Sequence, residues 1–292
     1  MKPRPVNLAV GFFDGVHLGH RRILAGADAV LTFRNHPMSV LKPSAPVALL
    51  MDADERLRLL ATEGAKEPRE VRALEFTRQF AAQPPERFAK FLRREYPNLG
   101  RIHCGANWRF GMDGAGTPET LRELGFSVKV CRYAKYGGER ISSTRIRAAL
   151  AEGAIGDANA MLGRPFAAVG EVVRGKGLGR TLGFPTLNMP VALALKPGVY
   201  AVDTPFGGGV ANYGVAPTVR GRAWREPVLE VHLFRAQNVG AERLSRLRVE
   251  FIAFIRPERA FASLDALRAQ IVEDAAVAET ALLVRTKRSL VE

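Results

Sequence analysis

The chain has little cysteine. Cys104 and Cys131 are its two thiols in 292 residues, too few for a disulfide framework or a thiolate metal site. Each closes a short apolar run, so both are expected as buried free thiols. No stretch approaches the roughly 18 consecutive apolar residues of a membrane span. The opening segment MKPRPVNLAVGFFDG carries basic residues, but Asp14 interrupts its apolar run. It therefore lacks the core of a secretory leader, and the cytoplasm is the expected compartment. Internal repeats, low-complexity tracts, long basic blocks and aromatic-rich RNA-binding motifs are also missing. Lys and Arg outnumber Asp and Glu by 43 to 29, for a formal charge of +14. Because the arginines are dispersed, nucleic acid is not the expected main partner; the balance equally suits an enzyme that holds several polyphosphates.

What is present is a globular composition, 47% hydrophobic and 25% charged, in a chain long enough for two domains. In the first half, apolar runs at 6–10, 29–33, 71–74, 101–104 and 127–131 read as strands. Helical patterns lie between them, beginning near Val16, over 52–60 and 84–95, and after the capping residue Thr117. Such alternation predicts a parallel sheet covered by helices. Two further helices are expected at 143–152 and 155–162. From Phe166 the texture changes to short strands broken by Gly and Pro, at 167–173, 198–204, 210–215, 228–234 and 248–254. An antiparallel sheet or small barrel is implied. A helix over 263–279 follows, with Leu264, Leu267, Ile271 and Val272 expected on its apolar face. The expected fold is thus α/β plus all-β, with domains at 1–163 and 164–292.

The strongest local signal is GFFDGVHLGH at 11–20, placed where a strand ends and a helix begins. Unpaired N–H groups and the positive helix end make such a turn an anion site, with Gly11, Phe12, Asp14, Gly15, His17, Gly19 and His20 in it. His17 and His20, three residues apart, project together. Two histidines at that spacing also fit a solvated pair or part of a zinc site. Zinc, however, needs three or four protein ligands, and His36, His103 and His232 have no ligand spacing. Phosphate chemistry is the better reading. A second segment, ISSTRIR at 141–147, sets the hydroxyls of Ser142, Ser143 and Thr144 at a helix start with Arg145 and Arg147 behind them. That suits a triphosphate, although an ordinary helix cap with solvated arginines fits equally well.

The second half carries GEVVRGKGLGRTLGFPTLN at 170–188. Gly175, Gly177 and Gly179 interleave with Lys176 and Arg180 as a loop that could wrap a polyphosphate, or simply turn a hairpin. The Walker ending is absent. Thr186 and Asn188 occupy alternate positions of an extended segment and so share one face, offering hard oxygen donors of the kind magnesium takes. Glu230 interrupts an otherwise apolar strand, a costly place for a carboxylate without a task or partner.

In order along the chain, GFFDGVHLGH, LTFRNHP at 31–37, GANWRFG at 105–111 and ISSTRIR resemble the motif set of the bifunctional riboflavin kinase/FAD synthetase family of prokaryotes. The segment from Phe166 to Glu279 resembles the riboflavin kinase domain almost throughout. The resemblance implies a Rossmann-like α/β/α nucleotidyltransferase domain, then a small antiparallel β-barrel kinase with a C-terminal helix. It implies phosphorylation of riboflavin to FMN by ATP, then adenylylation of FMN to FAD, with Mg2+ as cofactor and small molecules as partners. His17, His20, Ser142, Ser143, Thr144 and Arg147 would handle ATP phosphates in the first half, and Asn35, His36 and Asn107 the flavin or nucleotide. In the second half Thr186 and Asn188 would bind Mg-ATP, and Glu230 would be the general base.

The chain departs from the family at Asn35, where a Pro is usual, and in the short connection of Arg21 to Asp28 before the second strand. A parallel crossover normally needs about a dozen residues. A thinly covered sheet face and a weakened adenylyltransferase are the second reading; a nucleic-acid-binding protein on an inactive scaffold is the third. The motif residues that the third reading would lose are present.

Overall fold

A computed structural model describes residues 4–45, 47–173, 183–214, 227–234 and 245–289, the side chains of 286–289 excepted. The chain divides into two compact units, Met1–Ser143 and Thr144–Glu292.

The first unit is built on five parallel strands: β1 (Val6–Val10), β2 (Ala29–Phe33), β3 (Glu70–Leu74), β4 (Leu99–Gly105) and β5 (Val128–Cys131), in the order β3-β2-β1-β4-β5. Helices α1 (Leu18–Leu24), α2 (Pro37–Leu41), α3 (Ala53–Thr62), α4 (Arg78–Ala81), α5 (Pro85–Glu95) and α6 (Pro118–Glu123) join them. A small separate hairpin, β6 (Lys135–Tyr136) and β7 (Glu139–Arg140), follows β5. Strand order reverses between β1 and β4. In open sheets of this type the ligand crevice opens at the carboxyl ends of the strands beside such a reversal. The segments that leave β1 and β4 there are GFFDGVHLGH and GANWRFG.

Alternation along the strands splits the core in two. Leu8, Val10, Leu31, Ile102 and Cys104 face the layer holding Phe88, Leu92 and Leu121. Ala9 and Val30 face Ile23, Leu24, Leu59 and Leu60 from α1 and α3. The short connection after β1 does not leave that face open, since Ala9 and Val30 are both fully buried. His103, opposite Ala9, fills the space beside α1, with its Nδ1 3.2 Å from the carbonyl of Ile23. Both cysteines are free and buried, and burial pushes the Cys104 thiol up to about 12.

In the second unit α7 (Ser143–Glu152), which starts at the division between the units, and α8 (Ile155–Leu162) precede an antiparallel sheet. Its six strands are β8 (Phe166–Glu171), β9 (Thr186–Pro190), β10 (Gly198–Thr204), β11 (Gly207–Gly214), β12 (Val228–Leu233) and β13 (Arg246–Arg256). The order β8-β13-β10-β11-β12-β9 brings the two ends together, where Val173 N–H donates to Asn188 O at 2.8 Å. The sheet thereby closes into a small barrel. Gly170 is required at the seam, because a Cβ there would stand 2.7 Å from Met189 Cγ.

The helix Leu264–Ser289 packs on β10, β11 and β13. Its inward face corrects the apolar face read from sequence. Leu267, Ile271 and Ala278 turn inward, but Leu264 and Val272 are exposed. Val272 lies about 100° round the helix from Ile271. The inward position is taken instead by Asp274, whose carboxylate accepts from Arg256 Nε at 2.9 Å and Nη2 at 2.7 Å, and from Gln270 at 2.8 Å. Arg285 adds bonds to Asp203 at 3.1 Å and Glu250 at 2.9 Å.

Truncating Asp274 to Ala strands the Arg256 cation, and is expected to destabilise the second unit by about 3 to 5 kcal/mol in chemical denaturation. In the first unit, desolvation first lowers the His103 pKa below its ordinary 6.5, so the unfolded chain binds the proton more readily. That stability contribution is complete above pH 6.5 and is lost as pH falls below it. A first-unit urea midpoint that is lower at about pH 5 than at about pH 7.5, with a smaller difference in His103→Gln, is the expected result.

Candidate functional site

The loop after β1 is held in a conformation that costs energy. Phe13 has φ 62° and Val16 φ 38°, left-handed values that a β-branched residue avoids. Three anchors hold it. The buried Asp14 carboxylate accepts from Leu50 N at 3.0 Å, its carbonyl accepts from Ser143 Oγ at 2.8 Å, and Gly15 supplies a turn at φ 80°. The chain then enters α1 with His17 as N-cap, its Nδ1 accepting from His20 N at 3.2 Å. The two imidazoles stack at 3.6 Å, 15° from parallel, and the Phe13 ring meets His20 edge-on at 5.3 Å. Gly19 permits the stack, since a Cβ there would lie 3.0 Å from the His17 ring.

Beside this loop, His36 caps α2 with its Nδ1 accepting from Met38 N at 3.1 Å, and its ring meets Phe12 at 4.5 Å. Asn35 is engaged like a strand residue: its Nδ2 donates to Phe76 O and its Oδ1 accepts from Phe76 N, both at 2.8 Å. Asn107 is exposed after β4. Its neighbour Trp108 stacks on Phe110 at 4.8 Å, and a ladder of ring contacts runs from Trp108 through Phe88, Phe80 and Phe33 to Phe76. The segments bearing Asn35 and Asn107 thus sit at two ends of one aromatic cluster, which sequence motifs alone did not reveal. Ser142 and Ser143 close the first unit, while Thr144, Arg145 and Arg147 continue on α7 in the second.

Sequence reasoning also passed over Arg56. It lies on α3, fully buried, with Nη1 donating to Phe12 O at 2.7 Å and Thr32 Oγ1 at 3.3 Å, and Nη2 donating to Phe33 O at 2.8 Å and Arg34 O at 2.9 Å. Its guanidinium stands 3.9 Å above the Phe12 ring. Burial lowers its pKa to about 10, against the opposing pull of Asp14. The signal in the sequence was an arginine three and four residues before Leu59 and Leu60, on the apolar face of a helix.

In the second unit, β9 and β12 pair so that Asn188 is opposite Glu230 and Thr186 opposite His232, and β11 adds Asn212 opposite Glu230. Directly opposed residues share a face. Leu187, Met189, Leu229 and Val231 fill the barrel interior, so Thr186, Asn188, Glu230, His232 and Asn212 line the outside. His232 Nδ1 is 3.0 Å from Pro185 O, and its ring meets Phe184 edge-on at 5.2 Å. Asn212 Nδ2 donates to Glu258 Oε1 at 3.1 Å. His232, Asn212 and Glu258 were not anticipated. Gly175, Lys176, Gly177, Gly179 and Arg180 lie outside the described residues.

A Rossmann-like sheet with a histidine pair at its carboxyl edge, and a small barrel bearing a carboxylate beside oxygen donors, fit a two-part transferase. The comparisons give its family. The FAD synthetase family model matches residues 1–145 and the riboflavin kinase model residues 162–282. Proteins named bifunctional riboflavin kinase/FMN adenylyltransferase are similar throughout: that of Escherichia coli K12 is 37% identical, covering 91% of this chain and 90% of its own. The Bacillus subtilis protein is 31% identical, covering 91% and 89%. A crystal structure described as a macrolide-efflux protein from Streptococcus pneumoniae superposes with a TM-score of 0.78 at 29% identity, covering 94% of this chain and 93% of that one. Among the described residues here, no helix is long and apolar enough to cross a membrane. The chain belongs to the bifunctional riboflavin kinase/FMN adenylyltransferase family.

Replacing Asn35 with Ala leaves the N–H and C=O of Phe76 without these partners. A loss of about 1 to 2 kcal/mol in first-unit stability is expected, read by thermal or urea unfolding.

Proposed function

We propose that the chain makes FAD from riboflavin in two steps at two separate sites, phosphorylation within 164–292 and adenylyl transfer within 1–163. The observation that carries the kinase assignment is the opposition of Asn188 and Glu230 on adjacent strands, with Thr186 on the same face. Glu230 takes the proton of the ribityl 5′-hydroxyl as its oxygen attacks the γ-phosphorus of ATP, and ADP departs. The hydroxyl of Thr186 and the amide oxygen of Asn188 are hard donors that fit Mg2+, an ion that keeps waters and shares phosphate oxygens. When bound, Mg2+ supplies charge neutralisation on the transferred phosphoryl group. Lys176 and Arg180, with Gly175, Gly177 and Gly179, are assigned to the ATP phosphates in this reading.

In the first half, a phosphate oxygen of FMN attacks the α-phosphorus of a second ATP and pyrophosphate leaves. No protein nucleophile is needed, so the residues align reactants and stabilise charge. His17 and His20 donate toward the α-phosphate and departing pyrophosphate from the start of α1. Gly11, Phe12, Asp14, Gly15 and Gly19 shape the turn, and Ser142, Ser143, Thr144 and Arg147 bind the remaining phosphates. His36, Asn35 and Asn107 border the flavin. The weakened-adenylyltransferase reading loses its motivation, because the short crossover leaves Ala9 and Val30 sealed.

Chromatography of products from riboflavin, excess ATP and Mg2+ tests the assignment. His20→Ala should stop FAD while FMN accumulates, with a loss of about 100-fold or more. Glu230→Ala should stop FMN formation from riboflavin yet still convert added FMN to FAD. Loss of both activities in either variant would sink the two-site reading.

A further inference from the structure

Arg56 reaches both segments that the first half uses. Phe12 O belongs to the loop leaving β1, and Phe33 O and Arg34 O belong to the turn leaving β2. Both lie at the carboxyl edge of neighbouring strands, the edge where ligands bind in such sheets. A single rigid fork therefore ties the loop leading to His17 and His20 to the turn leading to His36. The Phe12 ring transmits the same constraint sideways, with the guanidinium over its face at 3.9 Å and the His36 ring at 4.5 Å. Thr32 closes the arrangement by donating its hydroxyl to Phe12 O at 3.2 Å.

Simple stabilisation of α3 does not account for this placement. A fully buried cation is expensive, and an apolar residue here would cover Leu59 and Leu60 more cheaply. What an apolar residue cannot do is hold three carbonyls from two segments at fixed separation. The loop it holds is strained at Phe13 and Val16, and a strained loop needs surroundings that over-determine it.

We propose that Arg56 is a positioning residue for adenylyl transfer, a fork that fixes the histidine-bearing loop against the His36 turn without itself touching substrate. The inference rests on the reading of the first half as the FMN adenylyltransferase. Arginine is needed for its planar donors in fixed directions; lysine retains the charge but concentrates three donors at one point.

The test uses the full chain with Arg56→Lys and Arg56→Met. Each protein is assayed for FMN conversion to FAD, for riboflavin phosphorylation as an internal control, and for FMN-binding stoichiometry by flavin fluorescence. In Arg56→Lys, kcat for FAD formation should fall about 10- to 100-fold, with KM for FMN and ATP changed less than about threefold. Riboflavin phosphorylation and binding stoichiometry should match the unsubstituted chain. Should Arg56→Met fail to fold, the lysine variant carries the test. Unchanged kcat in Arg56→Lys overturns the proposal, and so does a loss of rate that follows a fall in binding stoichiometry, since that marks a structural role alone. An unsubstituted chain that makes no FAD overturns the adenylyltransferase reading itself, and is seen before any variant is compared.

Discussion

A guanidinium sealed from water must find hydrogen-bond acceptors among the atoms that seal it, and in the first unit those atoms lie at the carboxyl edge of the parallel sheet. Arg56 collects backbone carbonyls from the ends of two adjacent strands and lies on the Phe12 ring between them. The strained loop at Phe13 and Val16, the histidine stack beyond it and the His36 cap all adjoin this contact. Asp14 works in the same way from the other side, its buried carboxylate held by the backbone of Leu50 ahead of α3. Burial of each charge is offset by these bonds, through both Nη atoms of Arg56 and the carboxylate of Asp14, and the bonds fix the geometry.

The second unit solves a different problem. Closing six strands into a barrel leaves one residue in two facing outward, and the outward residues must be covered or used. Over β10, β11 and β13 they are covered by the C-terminal helix, clamped through Arg256 and Asp274. Over β9 and β12 they are Thr186, Asn188, Glu230 and His232, the first three of which are proposed for phosphoryl transfer. Arg256 stands opposite Val199, and Val199 opposite Asn212, so the helix clamp ends the same cross-strand row that holds Glu230. Packing and proposed chemistry thus occupy neighbouring parts of one surface.

Much of this was legible in the sequence wherever the signal was local. Apolar runs gave β1 and β2 to the residue and the other strands of the parallel sheet within about two, because a strand buried on both faces writes itself as an uninterrupted run. The short α2 and α4 and the β6–β7 hairpin escaped, being too brief for any periodicity. The inner face of the final helix was misread at Leu264 and Val272, since an ion pair to β13 rather than an apolar stripe sets its rotation. Arg56, Asn212 and the aromatic ladder have meaning only once distant segments meet, and short motifs carry no trace of that.

The central claim is that FAD receives its two phosphorus atoms from two ATP molecules by two different chemistries. Riboflavin should be supplied with ATP labelled at the γ-phosphorus in one reaction and at the α-phosphorus in another, and the FAD then cleaved into FMN and AMP. The γ label is expected in FMN alone and the α label in AMP alone. Both phosphorus atoms arriving from the α and β positions of one ATP would mean a single adenosine-diphosphoryl transfer, with attack at the β-phosphorus and release of inorganic phosphate, and would contradict a chain with separate kinase and adenylyltransferase sites.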